Sequence, residues 1–173
     1  MSRITDKVTL YSEESCPDTI VEKDNFRFVL GKNGSNPLAV ICMNPSAADI
    51  TKCDKTIEKI INVANELNKD GWMVFNLYPE RATFPGELTH YNPEISRKNV
   101  EIIKDYLLKN KISEVWGAWG NVDDNECLIK SKQDIVNMLS ENNISIFCYK
   151  INKSGNPHHP LYLHINPANK IYL

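Results

Sequence analysis

The sequence predicts an α/β fold: a three-layer αβα sandwich whose central, mainly parallel four-stranded sheet carries an N-terminal antiparallel flank. Three observations lead there. Pro37-Leu-Ala-Val-Ile-Cys-Met-Asn-Pro-Ser46 contains an apolar run with no alternating polar face, as expected of a parallel strand covered on both sides. From Leu38 onward, strand-like and helix-like segments alternate, and that alternation builds parallel sheets with crossover helices on both faces. At 173 residues the chain can bury one substantial core and is short for two. A single domain over residues 1–173 is therefore expected, with residues 1–36 as a strand flank and 37–163 as the core.

Taken in order, Lys7–Tyr11 and Asn25–Leu30 alternate apolar and polar residues, the mark of half-exposed strands that would pair as the flank. Lys32-Asn-Gly-Ser-Asn36 is a turn signal. Leu38–Met43 is the first buried strand, and Asn44-Pro45 forces an extended exit from it. Asp54-Lys-Thr56 opens a helix with Ile57, Ile60, Ile61, Ala64 and Leu67 on one face, ending near Asp70-Gly71. Trp72–Asn76 is a second strand. A long loop from Leu77 to Tyr91 carries Pro79, Pro85 and Gly86, and loops of that length are more often functional than short ones. Ser96 caps a helix with Val100, Ile103, Tyr106 and Leu107 at helical spacing. Ser113–Trp119, a helix over Ile129–Leu139 and the strand Ile144–Tyr149 complete the alternation, before a Pro- and His-rich tail, Gly155–Leu163.

Composition narrows the function classes. Lys plus Arg number 20 against 22 Asp plus Glu, so no global basic field supports sequence-independent nucleic-acid binding. No apolar stretch approaches the roughly 20 residues of a membrane span, and Met1-Ser-Arg-Ile-Thr-Asp6 lacks the apolar core of a signal peptide. A cytoplasmic protein with no membrane partner is the expectation. The five cysteines, 16, 42, 53, 127 and 148, are scattered with no Cys-x-x-Cys pair, which argues for free thiols and against a disulfide framework, structural zinc or an iron–sulfur cluster. No metal or cofactor is implied.

The common phosphate-binding and nucleophile motifs are missing. There is no Gly-x-x-x-x-Gly-Lys-Ser/Thr, no Gly-x-Gly-x-x-Gly after a strand and no Gly-x-Ser-x-Gly. What remains are polar residues after the buried strands: Asn44 and Ser46, Asn76, Gly120-Asn121, and His158-His159. In an open α/β sheet the ligand crevice lies at those carboxyl ends. A carboxamide such as Asn44 or Asn76 offers a donor and an acceptor, suited to an amide-like ring edge or a water. His159 can donate to an oxygen that gains charge. Asp49 and Asp54 are candidate bases or oxygen ligands, and Arg81 suits a phosphate or carboxylate. Each has a structural alternative: a turn for Asn44-Pro45, a helix cap for Asp54, a solvated surface charge for Arg81. Trp116 and Trp119 fit core or pocket-wall packing better than base stacking.

Two resemblances attach to these residues. Met43-Asn-Pro-Ser-Ala-Ala-Asp49, Asp54-Lys-Thr56, Asn76-Leu-Tyr-Pro-Glu-Arg-Ala-Thr83, Trp116-Gly-Ala-Trp-Gly120 and His159-Pro-Leu-Tyr162 together resemble an uncharacterised bacterial and phage family, a domain of unknown function. The family pattern has Thr at Ala47, Pro at Lys55 and Phe-Ala at Tyr78-Pro79. The layout is also similar to the uracil-DNA glycosylase superfamily. That family places an Asn-Pro-Gly motif after the first strand, an Asn ending the second and His-Pro-Ser near the last. Here Asn44-Pro-Ser46, Asn76 and His159-Pro-Leu161 stand in that order. The resemblance implies that Asn44 holds an attacking water, Asn76 reads the base and His159 supports the departing base anion. Ser46 replaces the Gly of close approach, and Leu161 the Ser that touches backbone phosphate.

The functional expectation is a glycosylase-like pocket for a nucleobase-containing small molecule or nucleic acid, acting at an N-glycosidic or phosphate bond. Asn44, Asp49 and His159 are its catalytic candidates; Ser46, Asp54, Asn76, Arg81 and His158 are its ligand-binding candidates. The alternatives are a non-catalytic nucleotide- or phage-signal-binding module, and a small-metabolite hydrolase using Asp49 or Asp54.

Overall fold

The computed structural model describes residues 8–88 and 90–173, so Lys7 of the first expected strand and Thr89 of the long loop lie outside the described residues. The strands are β1 (Thr9–Leu10), β2 (Thr19–Lys23), β3 (Phe26–Lys32), β4 (Pro37–Cys42), β5 (Lys52–Cys53), β6 (Gly71–Asn76), β7 (Glu114–Gly117), β8 (Ser145–Cys148) and β9 (Ile171–Tyr172). The helices are α1 (Lys55–Glu66), α2 (Pro93–Lys109) and α3 (Glu126–Glu141). The fold is α/β, built on a mixed seven-stranded sheet ordered β2-β3-β6-β4-β7-β8-β9. Its four middle strands are mutually parallel. Both ends are antiparallel, so the sheet as a whole is mixed and not mainly parallel.

The flank differs from expectation in its members. Thr9–Leu10 does not join the main sheet; it pairs with β5 in a separate two-stranded ribbon. The partner of β3 is β2, an edge strand with three exposed residues. Alternation made β3 look half-exposed, yet its central five residues are buried. The reason is its place between β2 and β6, where even Arg27 is only 2% exposed. At the far side, β9 returns antiparallel to β8, an element too short to carry a sequence signal.

Strand parity sorts the core. Leu38, Val40 and Cys42 pack with Ile57, Ile60, Ile61 and Ala64 of α1, whereas Ala39 and Ile41 pack with Ile103 and Leu107 of α2 and Ile135 and Leu139 of α3. Successive side chains of a strand point to opposite faces, so an uninterrupted apolar run feeds both clusters. Helix starts follow Asx capping: Asp54 accepts from Ile57 N–H (2.9 Å), Asn92 from Glu94 and Ile95 N–H, and Asn125 from Leu128 N–H. Asn92, with Pro93 at the first helical position, caps α2, and Ser96 lies inside the helix with its hydroxyl donating to Asp134. Helix α1 ends at Glu66, short of Asp70, because Asn68 turns left-handed (φ 54°). All five cysteines are free thiols, four of them buried. Among the described residues no helix is long and apolar enough to cross a membrane.

Candidate functional site

The chain runs from β4 to β6 on one side and then to β7 on the other, so the sheet has a topological switch point beside β4. Crevices form outside the carboxyl ends of strands at such points. A cavity of about 520 Å³ lies there, within the usual span of small-molecule sites. It is walled by the ends of β4 and β6, the first turn of α1, the loops after β6 and β7, and the His158–Tyr162 tail.

The β4 exit is fixed by backbone pairing with the segment after β6: Leu77 N–H donates to the Cys42 carbonyl (2.9 Å) and Ala82 N–H to the Pro45 carbonyl (3.0 Å). Asn44 uses its Nδ2 for the same job, donating to the carbonyls of Ala82 (2.8 Å) and Pro45 (3.1 Å). Its amide is thereby oriented, and its Oδ1 accepts no hydrogen bond from the described residues. Ser46 also lines the cavity.

Asn76 differs from every other polar residue at the strand ends. Its side chain is 1% exposed and lines the cavity, yet neither Nδ2 nor Oδ1 has a partner among the described residues. Its backbone carbonyl is held by Asn99 Nδ2 (2.8 Å). A buried amide without partners costs about 1–3 kcal/mol, and among the described residues Asn76 is the one amide with both polar side-chain atoms so placed.

His159 lines the cavity, and its Nδ1 accepts from Leu161 N–H (3.3 Å) as the cap of a 3-10 turn, Pro160–Tyr162. That hydrogen bond leaves the proton of the neutral ring on Nε2. Burial, with a contribution from the Lys59 ammonium, pushes the imidazole pKa down to about 4, so the ring is neutral at pH 7. Lys59 is held by three carbonyls of the tail, those of Pro160, Leu161 and Leu163 (3.0, 3.0 and 2.7 Å). Gly120 lets the β7 loop pass close: its φ is +74°, and a Cβ there would stand 3.2 Å from His159 Cβ. His158 lines the cavity as well.

Asp54 is 9% exposed, caps α1 through Oδ1 and lines the cavity. Burial and the nearby Asp54 charge push the Cys42 thiol up to about 12, which removes it as a thiolate nucleophile at neutral pH.

Two candidates stand away from the cavity. Asp49 Oδ1 accepts from Thr51 N–H (2.8 Å), Thr51 Oγ1 (2.9 Å) and Lys52 N–H (2.7 Å), an Asx turn that also holds its carboxyl below the usual range. Arg81 donates to the carbonyls of Ser46 (2.9 Å) and Ala48 (3.1 Å) and pairs with Glu22 (2.8 Å), so it clasps the β4 exit. Trp116 and Trp119 are core residues, 0% and 2% exposed.

The buried charged cavity residue that escaped the sequence reading as a site candidate is Arg27. Arg27, on β3, reaches the cavity while remaining buried, with one Nη1 hydrogen bond to the Ala48 carbonyl and an Nε that has no partner among the described residues. The signal was an Arg in an otherwise apolar strand, read there as the solvent face of a half-exposed one. Among the described residues, no group of three or more His, Cys, Asp or Glu is placed to hold a metal ion.

No curated protein and no solved structure matches the chain. Residues 27–161, which include every cavity element just described except Tyr162, match the model of a family described as a protein of unknown function (DUF1643), and the chain belongs to that family.

Proposed function

We propose that the cavity binds a nucleobase-containing ligand and that the chain cleaves the ligand's N-glycosidic bond. The observation that carries this reading is the partnerless carboxamide of Asn76. A donor and an acceptor side by side, buried in a concave wall, match the amide edge of a base, and a bound base would satisfy both.

The surrounding groups support the chemistry. Asn44, with its Nδ2 tied to two carbonyls, presents Oδ1 to a water. That water attacks C1′ of the sugar, the C1′–N bond breaks with its electron pair leaving on the base, and Asp54 accepts the proton of the water. His159, neutral and protonated on Nε2, donates to the oxygen of the departing base anion without adding a charge to be neutralised. The likeness to uracil-DNA glycosylases in the order Asn44, Asn76, His159 agrees with these roles, as a likeness of layout only.

The test is release of free base, followed chromatographically, from nucleosides, nucleotides and base-modified DNA. The expected result is release from at least one class, lowered about a hundredfold or more in a folded Asn44→Ala variant. No release across the panel would remove the cleavage step. A second reading, a nucleotide-binding module without turnover, is favoured by the commitment of Asp54 Oδ1 to the α1 cap. It expects thermal stabilisation by nucleotides with no base released.

A further inference from the structure

The Arg27 guanidinium is buried with little to offset its charge: one hydrogen bond to the Ala48 carbonyl and the Asp54 carboxylate beyond ion-pair distance. It is 2% exposed, and it takes part in none of the ion pairs among the described residues. Its neighbour Arg81, by contrast, is paired with Glu22. The two guanidinium groups converge on a single acceptor, the Ala48 carbonyl, so like charges are held together beside the cavity. Taking an unpaired charge out of water costs several kcal/mol, and a protein that keeps one there gains when a counter-ion arrives.

The start of α1 lines the same cavity. Asp54 accepts from Ile57 N–H, whereas the N–H groups of Lys55 and Thr56, both cavity residues, donate to no side chain of the described residues. Free N–H groups at the start of a helix, together with its dipole, favour an anion. Two independent features, a buried cation with an unpartnered Nε and an open helix start, thus border one cavity that also holds the Asn76 carboxamide.

We infer that Arg27 and the Lys55–Thr56 turn form a phosphate subsite, and that the ligand is a free nucleoside monophosphate. This rests on the reading of Asn76 as the base-recognising group. The phosphate is a terminal one because Arg27 is almost wholly enclosed, which the backbone of a continuous nucleic acid does not reach. The chain's net charge of −2 also gives no field for nucleic acid. Asp54 opposes an anion from the same cavity, though it lies beyond ion-pair distance of Arg27. Its removal therefore has an opposite, diagnostic effect.

The experiment is calorimetric titration of the full chain with inorganic phosphate, a nucleoside, the matching nucleoside monophosphate and a single-stranded oligonucleotide. Phosphate is expected to bind and to compete with the monophosphate, which binds more tightly than the nucleoside by about tenfold or more. Arg27→Gln weakens phosphate and monophosphate by a similar factor. Asp54→Asn, which preserves the cap because Asn caps as well as Asp, tightens both. Absence of phosphate binding, equal affinity for nucleoside and monophosphate, or preference for the oligonucleotide would each overturn the subsite. If Arg27→Gln fails to fold, unchanged phosphate affinity in Asp54→Asn overturns it instead. Phosphate binding with no gain from the attached base leaves the subsite standing and contradicts the role of Asn76.

Discussion

At Asn76, function and stability pull apart. A carboxamide with both polar atoms buried and unpartnered destabilises the empty protein, and replacing such a group by an apolar one of similar shape is neutral or favourable. Asn76→Leu should therefore melt at the same temperature as the wild type or about 2–4 °C higher, and lose ligand binding, read by calorimetry and a thermal scan. A lower melting point would mean that the amide has a structural partner. His159 makes a second prediction, through its proton. Its pKa is lower folded (about 4) than unfolded (about 6.5), so the unfolded chain binds the extra proton between those values. Its contribution is present above pH 6.5 and lost as pH falls through 4. Thermal scans across pH 4–7 should show a loss in the wild type that is smaller in His159→Gln, and an NMR titration should find the ring neutral down to about pH 5. Asn44, Asn76 and His159 were legible because each follows a buried strand or its return. Arg27 was not, because alternation reports which residues share a face and says nothing of a face later covered by α1 and the loop after β4.

At the level of elements, the loop after β6 shapes the site without lining it deeply. Arg81 ties the carbonyls of Ser46 and Ala48 to Glu22, and Arg81 N–H donates to the Asn25 carbonyl (2.8 Å). Arg81→Ala should cost about 1–3 kcal/mol by urea denaturation and loosen Asn44, and Arg81→Lys should rescue little because an ammonium lacks the fork that reaches two carbonyls and a carboxylate. Stability equal to the wild type in Arg81→Ala would make the clasp incidental. The sequence favoured a phosphate or carboxylate for Arg81 because Arg types carry no mark of what their donors will meet. Helix starts show a related pattern. Asp54 was readable as a cap from its position before an amphipathic run, whereas Asn92-Pro93 was passed over for Ser96, since two capping residues four apart offer the same local signal and only the α2–α3 packing spends the Ser96 hydroxyl on Asp134. Gly120 belongs here too. Gly120→Ala combines a left-handed φ with crowding of His159, so lowered stability and a shifted His159 resonance are expected together.

Across the whole molecule, the four parallel strands and three helices were readable from long apolar or amphipathic runs. Pairing at the sheet margins was not. β1, β5 and β9 are two residues each, and β2 is an exposed edge, so their partners are chosen by tertiary contact and not by local pattern. That margin matters for the site, because burying β3 between β2 and β6 is what brings Arg27 inside. The order β6-β4-β7-β8 then gathers Asn44, Asn76 and the loop that carries Gly120 around one cavity, where α1 starts and the His159 tail returns. The most direct test of this arrangement is titration of the wild type and Asn76→Leu side by side with nucleosides and nucleoside monophosphates. Saturable binding to the wild type, abolished in a variant at least as stable, is the predicted result. Binding that survives in Asn76→Leu, or no binding of any nucleobase compound to the wild type, would contradict the account.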